Sequence, residues 1–188
     1  MFIKTLFVNA TSRKDSRTLL LANEVLSHLE GEVICHDLYD LYLKPYDNSM
    51  VEKRNKLSKE GKFNNSIFAL SNEFQSADII VIAAPLWDLS FPSILKVYIE
   101  HINATGIMFK YTDKGIVGLA NAKKLIYVTT SGGGEVLDFG FKYIEALAKI
   151  MYKIKDVKYF YAANLDVLGA DIDGILENKI KEIREYFG

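Results

Sequence analysis

The sequence predicts an α/β fold: a three-layer α/β/α sandwich around a five-stranded parallel sheet. Three observations lead there. Five short apolar runs rich in β-formers alternate with segments whose apolar residues recur at helical spacing. The runs are apolar throughout, as strands covered on both faces are. A chain of 188 residues, 49% apolar, suffices for one domain with a full core, spanning 1–188.

Residues 3–8 form the first buried strand. A polar stretch, 9–17, runs into a helix whose Ala22, Val25, Leu26 and Leu29 share one face, and Gly31 ends it. Residues 32–36 are the second strand. Residues 37–62 are polar, contain Pro45, and read as a loop with a loosely packed helix. A helix over 67–75 leads to 78–84, DIIVIAA, the clearest buried strand. Leu95, Tyr98, Ile99 and Ile102 mark the next helical face. Residues 124–130 make the fourth strand, and SGGG follows at 131–134. Residues 139–152 are helical and 157–162 form the fifth strand. Ile172, Ile175, Leu176, Ile180, Ile183 and Phe187 then trace a closing amphipathic helix.

Five strands in this alternation suit the flavodoxin-like order 2-1-3-4-5, whose ligands lie beyond the carboxyl ends of the strands where the order reverses. The loops after strands one, three and four are NATSRKDSRT, PLWDLSFP and TSGGG. The first offers the hydroxyls of Thr11, Ser12, Ser16 and Thr18 at a helix N-terminus, an anion site suited to a phosphate monoester. Arg13 and Arg17 can add charge. Without glycine it is neither a P-loop nor a dinucleotide turn, and the same hydroxyls are ordinary helix caps. In the second loop Trp87 can present a face to a flat ring, with the amides of Trp87, Asp88 and Leu89 as donors; it can equally pack beneath a neighbouring helix. The glycine run lets backbone approach a ligand, or serves a turn that needs positive φ. Together the three loops describe a mononucleotide with a planar ring, and FMN is the natural candidate.

A formal net charge of -1 without a basic block argues against nucleic acid or an anionic membrane surface as partner. The single cysteine, Cys35, fits a reducing cytoplasm. No run approaches the ~20 apolar residues of a membrane span, and 1–10 lacks the features of a signal peptide. The three histidines have no metal-ligand spacing, so no metal is expected. His28 and His36 read as surface residues, and His101 as structural or interfacial.

APLWDLSFPSILKVYIEHI and GIMFKYTDKGIVGLANAKKLIYVTTSGGG closely resemble the FMN-dependent NADH-azoreductases, within the wider flavodoxin-like NAD(P)H:quinone oxidoreductases. The family forms are APMYNF or APMWNF, IPxxLKxYID, GxTFRYTxxGPxGL and TSRGG, and ATSRKDSRT resembles its SPRxxxSxS phosphate loop. By this resemblance Thr11, Ser16, Arg17 and Thr18 hold the FMN phosphate. Pro85, Leu86, Trp87, Asp88 and Leu89 lie along the flavin, and Ser131, Gly132, Gly133 and Gly134 meet its pyrimidine edge. Tyr111 corresponds to a lid residue on the substrate side. Leu86, Asp88, Gly132 and Ile116 stand where the family has Met, Asn, Arg and Pro.

The resemblance further implies a homodimer with flavin sites at the interface. It implies a ping-pong hydride transfer from NADH or NADPH, through FMN N5, to quinones or aromatic azo compounds. No side chain need act as an obligate general acid, so no catalytic residue is assigned. The alternative is a flavodoxin-type electron carrier without its own substrate. Against it stand the near-neutral charge and the absence of a TxTGxT-type phosphate loop.

Overall fold

The computed structural model describes residues 2–188. In chain order the elements are β1 (Lys4–Asn9), α1 (Arg17–Ser27), β2 (Glu32–Asp37), α2 (Asn48–Lys59), α3 (Ala69–Ser76), β3 (Ile79–Ala83), α4 (Ser93–Ile102), β4 (Phe109–Thr112), β5 (Gly115–Gly118), β6 (Lys124–Thr130), α5 (Phe139–Ala146), β7 (Asp156–Ala162) and α6 (Ile172–Phe187). A 3-10 turn, Ser66–Phe68, precedes α3, and a π-helical turn, Leu147–Tyr152, prolongs α5. The main sheet is parallel throughout, in the order β2-β1-β3-β6-β7. This is the flavodoxin-like α/β/α sandwich expected from the sequence.

Side chains alternate across the sheet. Leu6, Val8, Ile80, Ile82, Leu125 and Tyr127 face one layer, where they meet Phe74 of α3, Leu95, Tyr98 and Ile99 of α4, and Ile144 of α5. Phe7, Val81, Ile126, Val128 and Phe160 face the other, against Leu21, Ala22 and Val25 of α1 and Ile183 of α6. Each such fully buried side chain contributes about 1.5–3 kcal/mol. Both faces of the central strands β1, β3 and β6 are therefore covered, which is why their middles read as apolar runs. Short polar caps start the helices: Ser16 accepts from the Leu19 amide, Asp47 from Met50, Asp138 from Phe141 and Asp171 from Gly174.

Several local readings need correction. Helix α1 ends at Ser27 with His28 as its cap. Gly31 instead makes the left-handed step into β2 (φ 97°), where a Cβ would fall on the Ile3 carbonyl. His36 is 3% exposed, not a surface residue. Although β2 is an edge strand, the His36 side faces the layer under α3 and α4. There Nδ1 bonds the Tyr98 hydroxyl at 2.8 Å and Nε2 meets the Glu73 carboxylate. Burial pushes the Tyr98 phenol well up, so it stays neutral. His101 is structural: Nε2 bonds the Lys44 carbonyl at 2.8 Å and the ring stacks on Tyr46, over which Arg54 sits. Helix α2 buries no residue, as a loosely packed helix should. The antiparallel β4–β5 hairpin was not foreseen.

The conformational demand at Gly31 yields an expectation. Gly31→Ala forces a methyl group onto the Ile3 carbonyl at positive φ. It should cost about 2 kcal/mol and lower Tm by about 5 °C in a thermal melt.

Candidate functional site

Strand β1 is paired on both sides: Thr5 lies opposite Val33 of β2 and Ile79 of β3. The connections leaving β1 and β3 run to opposite faces, so the loops beyond Asn9 and Ala83 part and leave a crevice. A cleft of about 560 Å³ opens there, within the range of small-molecule sites. It is lined by Ser12, Arg13, Ser16, Arg17 and Thr18 from the first loop and α1, and by Pro85, Leu86, Trp87 and Asp88 beyond β3. Thr130, Ser131 and Gly132 line it beyond β6, with Leu165 and Asp166 beyond β7.

The first loop is pinned by Asn9. Its Nδ2 donates to Asp37 at 2.8 Å, while Oδ1 accepts the Thr11 amide at 3.1 Å and the Thr11 hydroxyl at 2.7 Å. Thr11 is thus buried with its hydroxyl spent, and it does not line the cleft. Ser16 caps α1 through the Leu19 amide at 3.3 Å, which leaves the first-turn amides of Arg17 and Thr18 as donors without a helical acceptor. The Thr18 and Thr130 hydroxyls pair at 2.6 Å on the cleft floor. Arg17 Nη1 donates to the Leu165 carbonyl and to Asp166 Oδ1, both at 2.7 Å.

Beyond β3, Trp87 and Ser90 exchange backbone hydrogen bonds at 2.8 and 2.9 Å, closing a two-residue turn. Such a turn demands positive φ at both central residues, and Asp88 (50°) and Leu89 (65°) supply it without glycine. The Trp87 amide is therefore consumed. Among the described residues the amides of Asp88 and Leu89 donate to no acceptor in the chain. Trp87 is 47% exposed, its ring at the cleft mouth and not under a helix. Leu89 lies outside the cleft lining, and its carbonyl accepts the Phe139 amide at 2.9 Å.

Beyond β6 the carbonyls of Ser131, Gly132 and Gly133 turn toward the loop after β7, accepting the amides of Leu165, Asp166 and Asn164 at 3.1, 2.8 and 2.7 Å. The amides of Gly132, Gly133 and Gly134 have no acceptor within the described chain. None of these glycines is left-handed. At Gly132 a Cβ would meet the exposed Asp166 carboxylate, with Asp166 Cγ 2.9 Å away, so a side chain there displaces Asp166. Gly133 and Gly134 do not line the cleft. The Ser131 hydroxyl bonds Tyr161 at 2.7 Å. Behind it, Tyr159 stacks on Phe141 at 4.0 Å and donates to Asp138 at 3.0 Å. Burial, reinforced by the Asp138 carboxylate, pushes the Tyr159 phenol up.

Tyr111 is elsewhere. It sits 67% exposed on the β4–β5 hairpin, which packs on the π-helical turn through Gly118 and leads back to Asp78 at the amino end of the sheet. The site residues that the sequence did not single out are Thr130, Leu165 and Asp166. Among the described residues, no group of three or more His, Cys, Asp or Glu is placed to hold a metal, and no helix is long and apolar enough to cross a membrane.

A family model of the flavodoxin-like fold matches residues 3–187. The chain is similar to FMN-dependent NADH:quinone oxidoreductase 2 of Clostridium acetobutylicum, at 34% identity over 97% of this chain and 96% of that protein. Similarity to the FMN-dependent NADH:quinone oxidoreductase of Caldicellulosiruptor saccharolyticus is 31% over 97% and 96%. Among solved structures, an FMN-dependent NADH-azoreductase from Bacillus anthracis in complex with FMN superposes with a TM-score of 0.82, at 25% identity over 99% of this chain and 98% of that one.

The Thr18–Thr130 pair can be tested by stability. Thr18→Val leaves the Thr130 hydroxyl without its partner on the cleft floor. It should lower the urea midpoint by the equivalent of about 1–2 kcal/mol, with the m value unchanged.

Proposed function

Since the chain belongs to the FMN-dependent NADH:quinone oxidoreductase family within the flavodoxin-like fold, we propose that it reduces quinones and aromatic azo compounds with NADH, using FMN. Residues 1–188 act as one FMN-binding domain. The observation that carries this reading is the set of unspent amides around the cleft. Asp88 and Gly132 line the cleft and carry two of them, Leu89, Gly133 and Gly134 carry three more in the same loops just outside the lining, and the hydroxyls and first-turn amides of α1 line it as well. Backbone donors in and beside the cleft suit ring heteroatoms, and the helix end suits a phosphate. These residues fit FMN.

What FMN supplies when bound is two-electron hydride chemistry at N5, between the reduced nicotinamide and the acceptor. The chain's own part is to bind and orient. The first-turn amides of α1 with Ser16, Arg17 and Thr18 take the phosphate, and Thr11 acts through Asn9 in shaping that loop. Pro85, Leu86 and Trp87 flank the ring, with Asp88 and Leu89 donating through their amides. Ser131 positions the glycine run at the pyrimidine edge, its hydroxyl fixed by Tyr161. No side chain is assigned a catalytic proton transfer.

NADPH is proposed as an alternative donor. The assembly is proposed to be a homodimer, and two observations support it. The exposed apolar residues Trp87, Leu89, Val136, Leu137 and Phe139 gather near the cleft mouth. Tyr111 stands on the hairpin at the amino end of the sheet, away from the cleft at the carboxyl ends, so the substrate-side role proposed for it calls for the cleft of a second copy. A cytoplasmic location without nucleic-acid partners accords with the net charge of -1 and the single cysteine.

Incubation with FMN should give a yellow protein with quenched Trp87 fluorescence. Anaerobic NADH should bleach the flavin band and a quinone should restore it, and a parallel NADPH titration tests the second donor. A protein left colourless by FMN would refute the assignment. Trp87→Ala should weaken FMN about tenfold. For the assembly, sedimentation should report a dimer. Tyr111→Ala should lower kcat/KM for a quinone about tenfold while leaving FMN affinity unchanged.

A further inference from the structure

We propose that Asp166 is a built-in competitor of phosphate. Its carboxylate occupies the Arg17 guanidinium that a bound phosphate would otherwise engage, and so limits how tightly the phosphate end of FMN is held. The inference rests on the FMN reading of the cleft.

The charged residues lining the cleft are Arg13, Arg17, Asp88 and Asp166. Their formal charges cancel, so the positive field a phosphate dianion meets there is left to the first-turn amides of α1. Of the two guanidiniums, Arg17 is already engaged, with Nη1 donating to Asp166 Oδ1 and to the Leu165 carbonyl at 2.7 Å each. The contact joins one guanidinium nitrogen to one carboxylate oxygen, and a phosphate oxygen is an acceptor of the same charge for that nitrogen.

Two loops, after β6 and after β7, set where that carboxylate lies. The Asp166 amide donates to the Gly132 carbonyl at 2.8 Å. The Asp166 side chain then lies over Gly132, in the space any larger residue would fill. The Leu165 carbonyl fixes the other side of Nη1. The pair is accessible, with side-chain exposures of 33% for Arg17 and 71% for Asp166, so it opens at small cost. Competition is therefore by exchange of one anion for another and not by blockage. FMN should bind only modestly tighter than riboflavin, the same ring without the phosphate.

The test measures dissociation constants of FMN and riboflavin, by flavin fluorescence quenching, for the full-length protein and for D166N, R17Q and the double variant. D166N should tighten FMN about fivefold, the scale of one accessible ion pair, and leave riboflavin within about twofold. In the R17Q background the gain should vanish. The proposal is overturned if D166N leaves FMN unchanged or weaker, if riboflavin moves by the same factor, or if the gain persists undiminished without Arg17. Wild-type protein that binds neither flavin would overturn the FMN reading itself, and this inference with it.

Discussion

With β1 hydrogen-bonded to β2 on one side and β3 on the other, and with helices covering both faces, the centre of the sheet has no polar outlet except at the strand ends. The cleft is therefore lined by loops and by the ends of elements, Arg17 and Thr18 in the first turn of α1 and Thr130 at the end of β6. Asn9, the last residue of β1, is where order turns into function. One side-chain amide ties it to Asp37, and its oxygen holds both polar groups of Thr11. That fixed start sets where α1 begins, and hence where its unsatisfied amides point. A less buried sheet would let the first loop relax toward solvent, and the donors would lose their common focus.

The same constraint explains what could be read in advance. The run at 124–130 coincides with β6 because its centre, Leu125 to Val128, is buried on both faces and apolar at each position. The α6 stripe, from Ile172 to Phe187, was equally plain. By contrast, β4 and β5 are four residues each, with Lys110, Tyr111 and Thr112 all exposed. So brief and solvated a hairpin leaves no periodic trace. Polar burial was also hidden: His36 reads as a surface residue until α3 and α4 bring Glu73 and Tyr98 to it. Within the site, the three loops at the reversal of strand order were legible from topology. The contribution of Asp166 was not, since its partner Arg17 lies 149 residues away and nothing local marks the loop after β7.

The glycine run and the turn after Trp87 exchange the roles that composition assigns them. None of Gly132, Gly133 and Gly134 takes a left-handed φ, and the Asp166 carboxylate lies against Gly132. Positive φ falls instead on Asp88 and Leu89, where a left-handed L-residue costs roughly 1–2 kcal/mol. Strain of this kind persists where surrounding structure over-determines it. The paired hydrogen bonds between Trp87 and Ser90, and the bond from Phe139 to Leu89, do so here. The return is a pair of amides that face outward.

The wide separation of the cleft's two walls has a consequence for how the molecule is made. At a synthesis rate of about 5–20 residues per second, the Arg17 side leaves the ribosome on the order of ten seconds before the Asp166 side. During that interval β1, β2 and β3 can assemble without β6 and β7, with one β3 edge and the floor under α1 uncovered. Parallel pairing between distant segments is slow in any case. The nascent chain thus spends its most aggregation-prone period with a half-built crevice, and cofactor capture is a late event in its biogenesis.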